Sequence, residues 1–200
     1  MEIPRSAIKK RKLALTACLL ITFSMGTVHA FSTLIQSIEV QTDVGRMASS
    51  LVYSAALINV TLAVYVGHIL YRKFSPKVLI SFIATLPIIG LLISSSETWL
   101  GWIIGYGIFF GFASGLGYGL SLYIVSSITE NIKLGYALGL VTASYAFGAV
   151  IFSMLYPLLF DYFGFEKGYI IGVVFLTSIV IIGLILFISA TAHIGIESSA

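Results

Sequence analysis

The sequence predicts an all-α membrane protein of six transmembrane helices, and three observations carry that prediction. The chain's 200 residues are 58% hydrophobic and 10% charged, with a mean hydropathy of +1.05, outside the range of soluble domains. Six apolar segments recur, each near the roughly 20 residues that a bilayer core requires. The third observation is the run Gly101-Trp-Ile-Ile-Gly105-Tyr-Gly107-Ile-Phe-Phe-Gly111-Phe-Ala-Ser-Gly115-Leu-Gly117-Tyr-Gly119, seven glycines in 19 residues. In a soluble helix each would cost about 1 kcal/mol against alanine. In lipid the backbone must satisfy its own hydrogen bonds, so helix is favoured and glycine becomes a site of close helix approach.

In chain order, residues 2–12 hold Arg5, Lys9, Lys10, Arg11 and Lys12 and form a basic N-terminus. Val28-His29-Ala30 has the small-residue form of a signal-peptide cleavage site. The apolar run continues past it to Ile38, so the segment reads as a retained first span. The spans are expected at about 13–37, 47–71, 78–95, 99–127, 134–160 and 168–190. The organisation is thus a basic terminus (1–12), a six-helix bundle (13–190) and a C-terminal tail (191–200).

Lysine and arginine set the orientation. With the N-terminus in the cytoplasm, nine of the eleven basic residues fall inside: the five above, Arg72, Lys73, Lys77 and Lys133. Arg46 and Lys167 fall outside, with Glu39, Asp43, Glu97, Asp161 and Glu166. Both termini are therefore expected in the cytoplasm of a bacterial-type inner membrane. The net charge of +3 reports this topology rather than nucleic-acid affinity. Cys18 is the only cysteine, which excludes an intrachain disulfide and a cysteine-built metal site. No cofactor and no enzymatic activity are expected.

Polar side chains within lipid should face the bundle interior or a water-filled cavity. Projected at 100° per residue, Thr22, Gly26, His29, Thr33 and Gln36 share a face of span one. Ser50, Ser54, Thr61, Tyr65 and His68 share one in span two, with Asn59 off the stripe. Gly107, Gly111, Ser114, Tyr118 and Ser121 cluster in span four, and Tyr145, Phe152 and Tyr156 align in span five. Spans one, two, four and five are expected to line a cavity or lie buried, and three and six to be peripheral. Serine and threonine can instead bond their own helix backbone, and interfacial tyrosine belongs to the aromatic belt. His29 is the one ionisable side chain well inside a span, either a ligand or proton group or a neutral residue bonded to a neighbouring helix. No Asp, Glu, Lys or Arg lies mid-span. Ser114 lacks the glycine two residues ahead, and span six lacks the histidine, that a rhomboid-type intramembrane protease needs.

Several stretches together resemble the N-terminal six-helix half of a major facilitator superfamily transporter. Gly67-His-Ile-Leu-Tyr-Arg72-Lys73-Phe-Ser-Pro76-Lys77 is similar to the family's loop between helices two and three, although the usual acidic residue is replaced by Tyr71 or Arg72. Tyr106 stands where many members carry a buried arginine. Gly139 and Gly148 match the spacing of the fifth-helix glycine motif, without its Gly-Pro. Gly26-Thr-Val-His29-Ala-Phe31, Ser50-Leu-Val-Tyr53-Ser and the span-four glycines resemble the oxalate/formate and monocarboxylate branch.

The resemblance implies half of an alternating-access fold, a 3+3 inverted repeat, moving a small solute such as a monocarboxylate. It implies a gating loop at Gly67, Arg72, Lys73, Pro76 and Lys77. Substrate contacts are expected at His29, Thr33, Tyr53, Asn59, Tyr118 and Tyr145. Close helix packing is expected at Gly107, Gly111, Gly115, Gly119, Gly135, Gly139 and Gly148. Family members have about twelve spans, so the partners would be lipid, the solute and a second six-helix half, with no nucleic acid. A fragment or split gene is expected ahead of a homodimer, because two copies would supply no cation for an anion. A truncated or non-transporting membrane subunit is the alternative.

Overall fold

The structure, a computed structural model, describes residues 5–191. The first four residues and, of the expected tail at 191–200, all but Thr191 lie outside that range. Among the described residues all regular structure is helical. The first span comprises α1 (Arg5–Gly26), a 3-10 segment (Thr27–Thr33) and α2 (Ile35–Thr42). Spans two and three are α3 (Arg46–Lys73) and α4 (Pro76–Ser94). Span four runs from α5 (Trp99–Trp102) through a π segment (Ile103–Phe110) into α6 (Gly111–Ile128). Spans five and six are α7 (Asn131–Phe163) and α8 (Phe165–Thr191). Six of these stretches are long and apolar enough to cross a membrane, at Lys9–Thr33, Arg46–Lys73, Lys77–Ser94, Trp99–Ile128, Asn131–Phe163 and Phe165–Ala190.

Chain reversals are local. Asp43 adopts a left-handed conformation, φ 51° and ψ 44°, and closes α2. Gly164, at φ 75° and ψ 166°, lies between α7 and α8 in a region open only to glycine. Ser75 caps α4 by accepting the Val78 amide.

The first span and span four form the centre of the bundle: 61% of each apolar window is buried, against 22% for α3 and 17% for α7. Spans three and six form a back layer. The α8 helix packs along α1, where Gly183 meets Ile21 and Ala17. The α4 helix crosses the π segment at Gly90, where a Cβ would lie 2.6 Å from the Gly105 carbonyl oxygen. Lipid-facing residues of α8 such as Ile182 and Ile185 are exposed, as apolar solvent permits.

Two irregular segments shift faces that a uniform helix would keep aligned. In the first span, the expected stripe divides at the 3-10 turn. Thr22 is buried and bonds back to the Cys18 carbonyl, and Gly26 packs on the Tyr145 backbone. His29, eclipsed with Gly26 on the 3-10 turn, still meets Tyr145 but is exposed, and Gln36 beyond the turn is exposed as well. A 3-10 segment turns about 120° per residue rather than about 100°, so residues beyond it rotate out of register. Tyr106 secures this segment. Its buried hydroxyl donates to the Val28 carbonyl at 3.1 Å and the Thr27 carbonyl at 3.3 Å, and its ring lies 5.0 Å from that of Phe31.

Span four also departs from a single polar face. Gly107, Gly111, Gly115 and Gly119 all meet α3, whereas Ser114 and Tyr118 meet the first span and α7. The two stripes are offset by three residues, which rotates them about 60° apart on an α-helix. Each therefore has its own neighbour.

Candidate functional site

Four spans bring a polar aromatic cluster together. The 3-10 turn of the first span presents His29, whose Nδ1 lies 2.9 Å from the Tyr53 hydroxyl of α3. That pairing leaves Nε2 as the nitrogen available to a ligand. Phe31, two residues along, stacks on Tyr53 with ring centroids 5.6 Å apart and planes within 5°. The His29 ring meets the edge of Tyr145 from α7 at 5.4 Å. Tyr145 in turn lies 4.8 Å from the ring of Tyr118 in α6.

Hydroxyls continue the network. Ser114 Oγ is 2.8 Å from the Met25 carbonyl and 3.2 Å from the Tyr145 hydroxyl. The Tyr118 hydroxyl lies 3.2 Å from Thr142 Oγ1. His29 is exposed and Tyr53, Tyr118 and Tyr145 are half-buried, so the cluster forms a wall rather than an interior core. Hydroxyl and imidazole groups can donate to a carboxylate, and the ring edges carry partial positive charge. The wall itself holds no formal charge from Lys, Arg, Asp or Glu.

The structure joins His29, Tyr53, Tyr118 and Tyr145 among the six expected contact residues. It does not bring in Thr33 or Asn59. Thr33 Oγ1 donates to the Ala30 carbonyl at 2.8 Å, and Asn59 Nδ2 to the Ala55 carbonyl at 2.9 Å. Both side chains satisfy their own helix. In span five, Phe152 and Tyr156 are buried, with Tyr156 stacked near Tyr169 of α8. A cavity of about 560 Å³, lined by Gln36, Gln41, Phe165, Glu166 and Lys167 among others, shares none of the cluster residues.

At the other end of α3, the expected gating loop is a short link, with Lys73 ending α3 and Pro76 opening α4. Arg72, Lys73 and Lys77 are exposed, and none of them forms an ion pair among the described residues. Tyr71 makes the link to span four instead. Its hydroxyl donates to the Leu116 carbonyl at 3.1 Å, and its ring packs against Gly67. A neutral hydrogen bond thus joins these helices.

The glycines divide by environment. A Cβ on Gly107 would lie 3.0 Å from Ala55 Cβ, and one on Gly111 would lie 2.7 Å from the Ala56 carbonyl oxygen. A Cβ on Gly115 would lie 2.8 Å from Ala63 Cβ, and one on Gly119 would lie 2.6 Å from the Tyr71 hydroxyl. Gly148 packs against the Phe23 backbone. The packing expected at Gly135 and Gly139 is not made: no atom lies within 4 Å of a Cβ at either. Both are on the exposed side of α7, where no other helix of this chain approaches.

Thr142, Phe31 and Tyr106 were not among the expected contact or packing residues. Thr142 could have been found, since it sits three residues before Tyr145 and so shares its face. The position of Phe31 depends on the 3-10 turn, which has no marker in composition.

No curated protein matches the chain. The profile described as Major Facilitator Superfamily matches residues 4–199. With six apolar helices, a central first and fourth span and a polar wall drawn from four spans, the chain belongs to the Major Facilitator Superfamily of membrane transporters.

Proposed function

We propose that the chain is one six-helix half of an alternating-access carrier for a small organic anion, with a monocarboxylate as the favoured class. The observation that carries this reading is the His29–Tyr53 pair at 2.9 Å, set in an open aromatic wall with Tyr118 and Tyr145. Such a wall can grip a carboxylate by hydrogen bonds while its aromatic rings enclose a short apolar body. The anion's charge needs a cation that this wall lacks. A second six-helix half, on another chain or a longer one, would supply it.

The low burial of α3 and α7 supports that reading, because these two spans leave the most apolar surface uncovered. In this arrangement the two halves rock about a midplane site and expose the wall alternately to each side. The basic residues of the α3–α4 link and of the N-terminus face the cytoplasm, and the membrane is the cell membrane. The solute crosses chemically unchanged.

The test is uptake into proteoliposomes containing the chain together with its complementary half, using radiolabelled formate, oxalate and lactate. The expected result is saturable uptake, reduced at least tenfold by His29→Ala and by Tyr118→Phe. Saturable uptake of none of the three anions would overturn the substrate class. Uptake unchanged in both variants would remove the wall from the site.

A further inference from the structure

Where α1 begins and α6 hands over to α7, a second pocket is built from different chemistry. Its cavity of about 330 Å³ is lined by Arg11, Lys12, Leu15, Ile128, Thr129, Glu130 and Lys133. Arg11 and Glu130 approach to 3.8 Å with both side chains largely in solvent. Three cations against one carboxylate leave two net positive charges on the lining. Neither Lys12 nor Lys133 forms an ion pair among the described residues.

Two further features point to an anion of a particular kind. The 33-residue α7 starts at this pocket, and its N-cap residue Glu130 makes no side-chain capping bond. Its first-turn amides and helix dipole therefore add to the positive field. The floor is apolar, from Leu15 and Ile128, and beside it Ile132 and Tyr136 of α7 are 97% and 73% exposed. A charged rim over an apolar floor, at the end of membrane-spanning helices, matches a molecule with an anionic head and a hydrocarbon tail.

We infer that this pocket binds a phosphate-bearing anion, the headgroup of an anionic phospholipid. Lys12, Lys133 and Arg11 hold the phosphate, and the acyl chains descend past Leu15 and Ile128. The site is independent of the solute wall, so it stands whether or not the chain transports an anion.

The experiment titrates phosphatidylglycerol into the purified protein in neutral detergent and follows thermal unfolding. Phosphatidylcholine and inorganic phosphate are titrated in parallel. Phosphatidylglycerol should stabilise the protein, phosphatidylcholine should not, and millimolar phosphate should do so far less. The exposed pair K12Q/K133Q should unfold normally without lipid and bind phosphatidylglycerol about 25-fold more weakly, about fivefold per lysine. R72Q/K73Q, at the other basic cluster on the same side of the bundle, should bind as the parent does. Unchanged affinity in K12Q/K133Q, or equal loss in R72Q/K73Q, would overturn the pocket. Equal stabilisation by phosphatidylcholine would overturn the anion requirement. Equal stabilisation by inorganic phosphate would overturn the lipid assignment.

Discussion

Substituting Gly111 by alanine tests the contact between span four and α3. The new Cβ would lie 2.7 Å from the Ala56 carbonyl oxygen and 2.8 Å from Ala56 Cα. Ordinary contact begins near 3.4 Å, so the helices must part by about 0.7 Å. Both crowded atoms are backbone, and no rotamer change relieves them. Overpacking of this kind costs about 1–3 kcal/mol. Alanine also gains about 1 kcal/mol in helix propensity, which obscures the result unless a reference removes it. Gly139→Ala is that reference, because it has the same propensity gain and no atom within 4 Å.

G111A should therefore be less stable than G139A by about 1–3 kcal/mol, or about 2–12 °C in Tm for a chain of this size. The assay is tryptophan fluorescence during heating in detergent, with Trp102 as a fully buried reporter. Rescue sharpens the test. Gly107→Ala crowds the Ala55 side chain, so A55G should restore it. A56G should not restore G111A, since the clash is with backbone. Equal stability of G111A and G139A, or rescue by A56G, would refute the packing argument.

Other expectations are narrower. Tyr106→Phe removes the donor that serves the Thr27 and Val28 carbonyls and should cost about 1–2 kcal/mol; hydrogen exchange should quicken first in residues 27–33. Arg46→Gln breaks the pair with Glu39 at 2.6 Å but leaves Ser49 bonded to the same carboxylate at 2.7 Å. Because Arg46 is 68% exposed, the loss should stay below about 1 kcal/mol in a denaturant titration. Cys18 is the one cysteine and is buried, so impermeant maleimides should read single cysteines cleanly. With the proposed orientation, K167C should label from outside intact cells and K133C only after lysis.

The helical class and the six spans could be read from composition and segment length, because a bilayer imposes one narrow length on every crossing. Arg72 and Lys133, expected between spans, instead lie in the last turn of α3 and the first turn of α7, because helices run past the apolar segment into polar residues. The candidate site was legible where its residues mark themselves by type: a histidine and tyrosines in apolar runs. Which of them converge depended on rotation about each helix axis. That rotation is altered at residues 27–33 and 103–110 by hydrogen-bond choices that composition does not encode. Thr33 and Asn59 fall outside the cluster for a second reason. A short polar side chain in a helix has its own backbone carbonyl within reach, and sequence does not distinguish that partner from a ligand.

The two stripes of span four give the bundle unequal mechanical seams. Toward α1 and α7, hydrogen bonds such as Ser114–Met25 and Tyr118–Thr142 fix both height and azimuth. Toward α3, the glycines present a track without knobs, with the Tyr71–Leu116 bond at one end and the bond from Trp99 Nε1 to the Ala48 carbonyl at the other. Between those two bonds no span-four side chain separates the helices at the glycines, so backbone contact sets how closely α3 can approach. The residue that helices ordinarily disfavour here acts as a spacer of zero thickness, held in register by Trp99 and Tyr71.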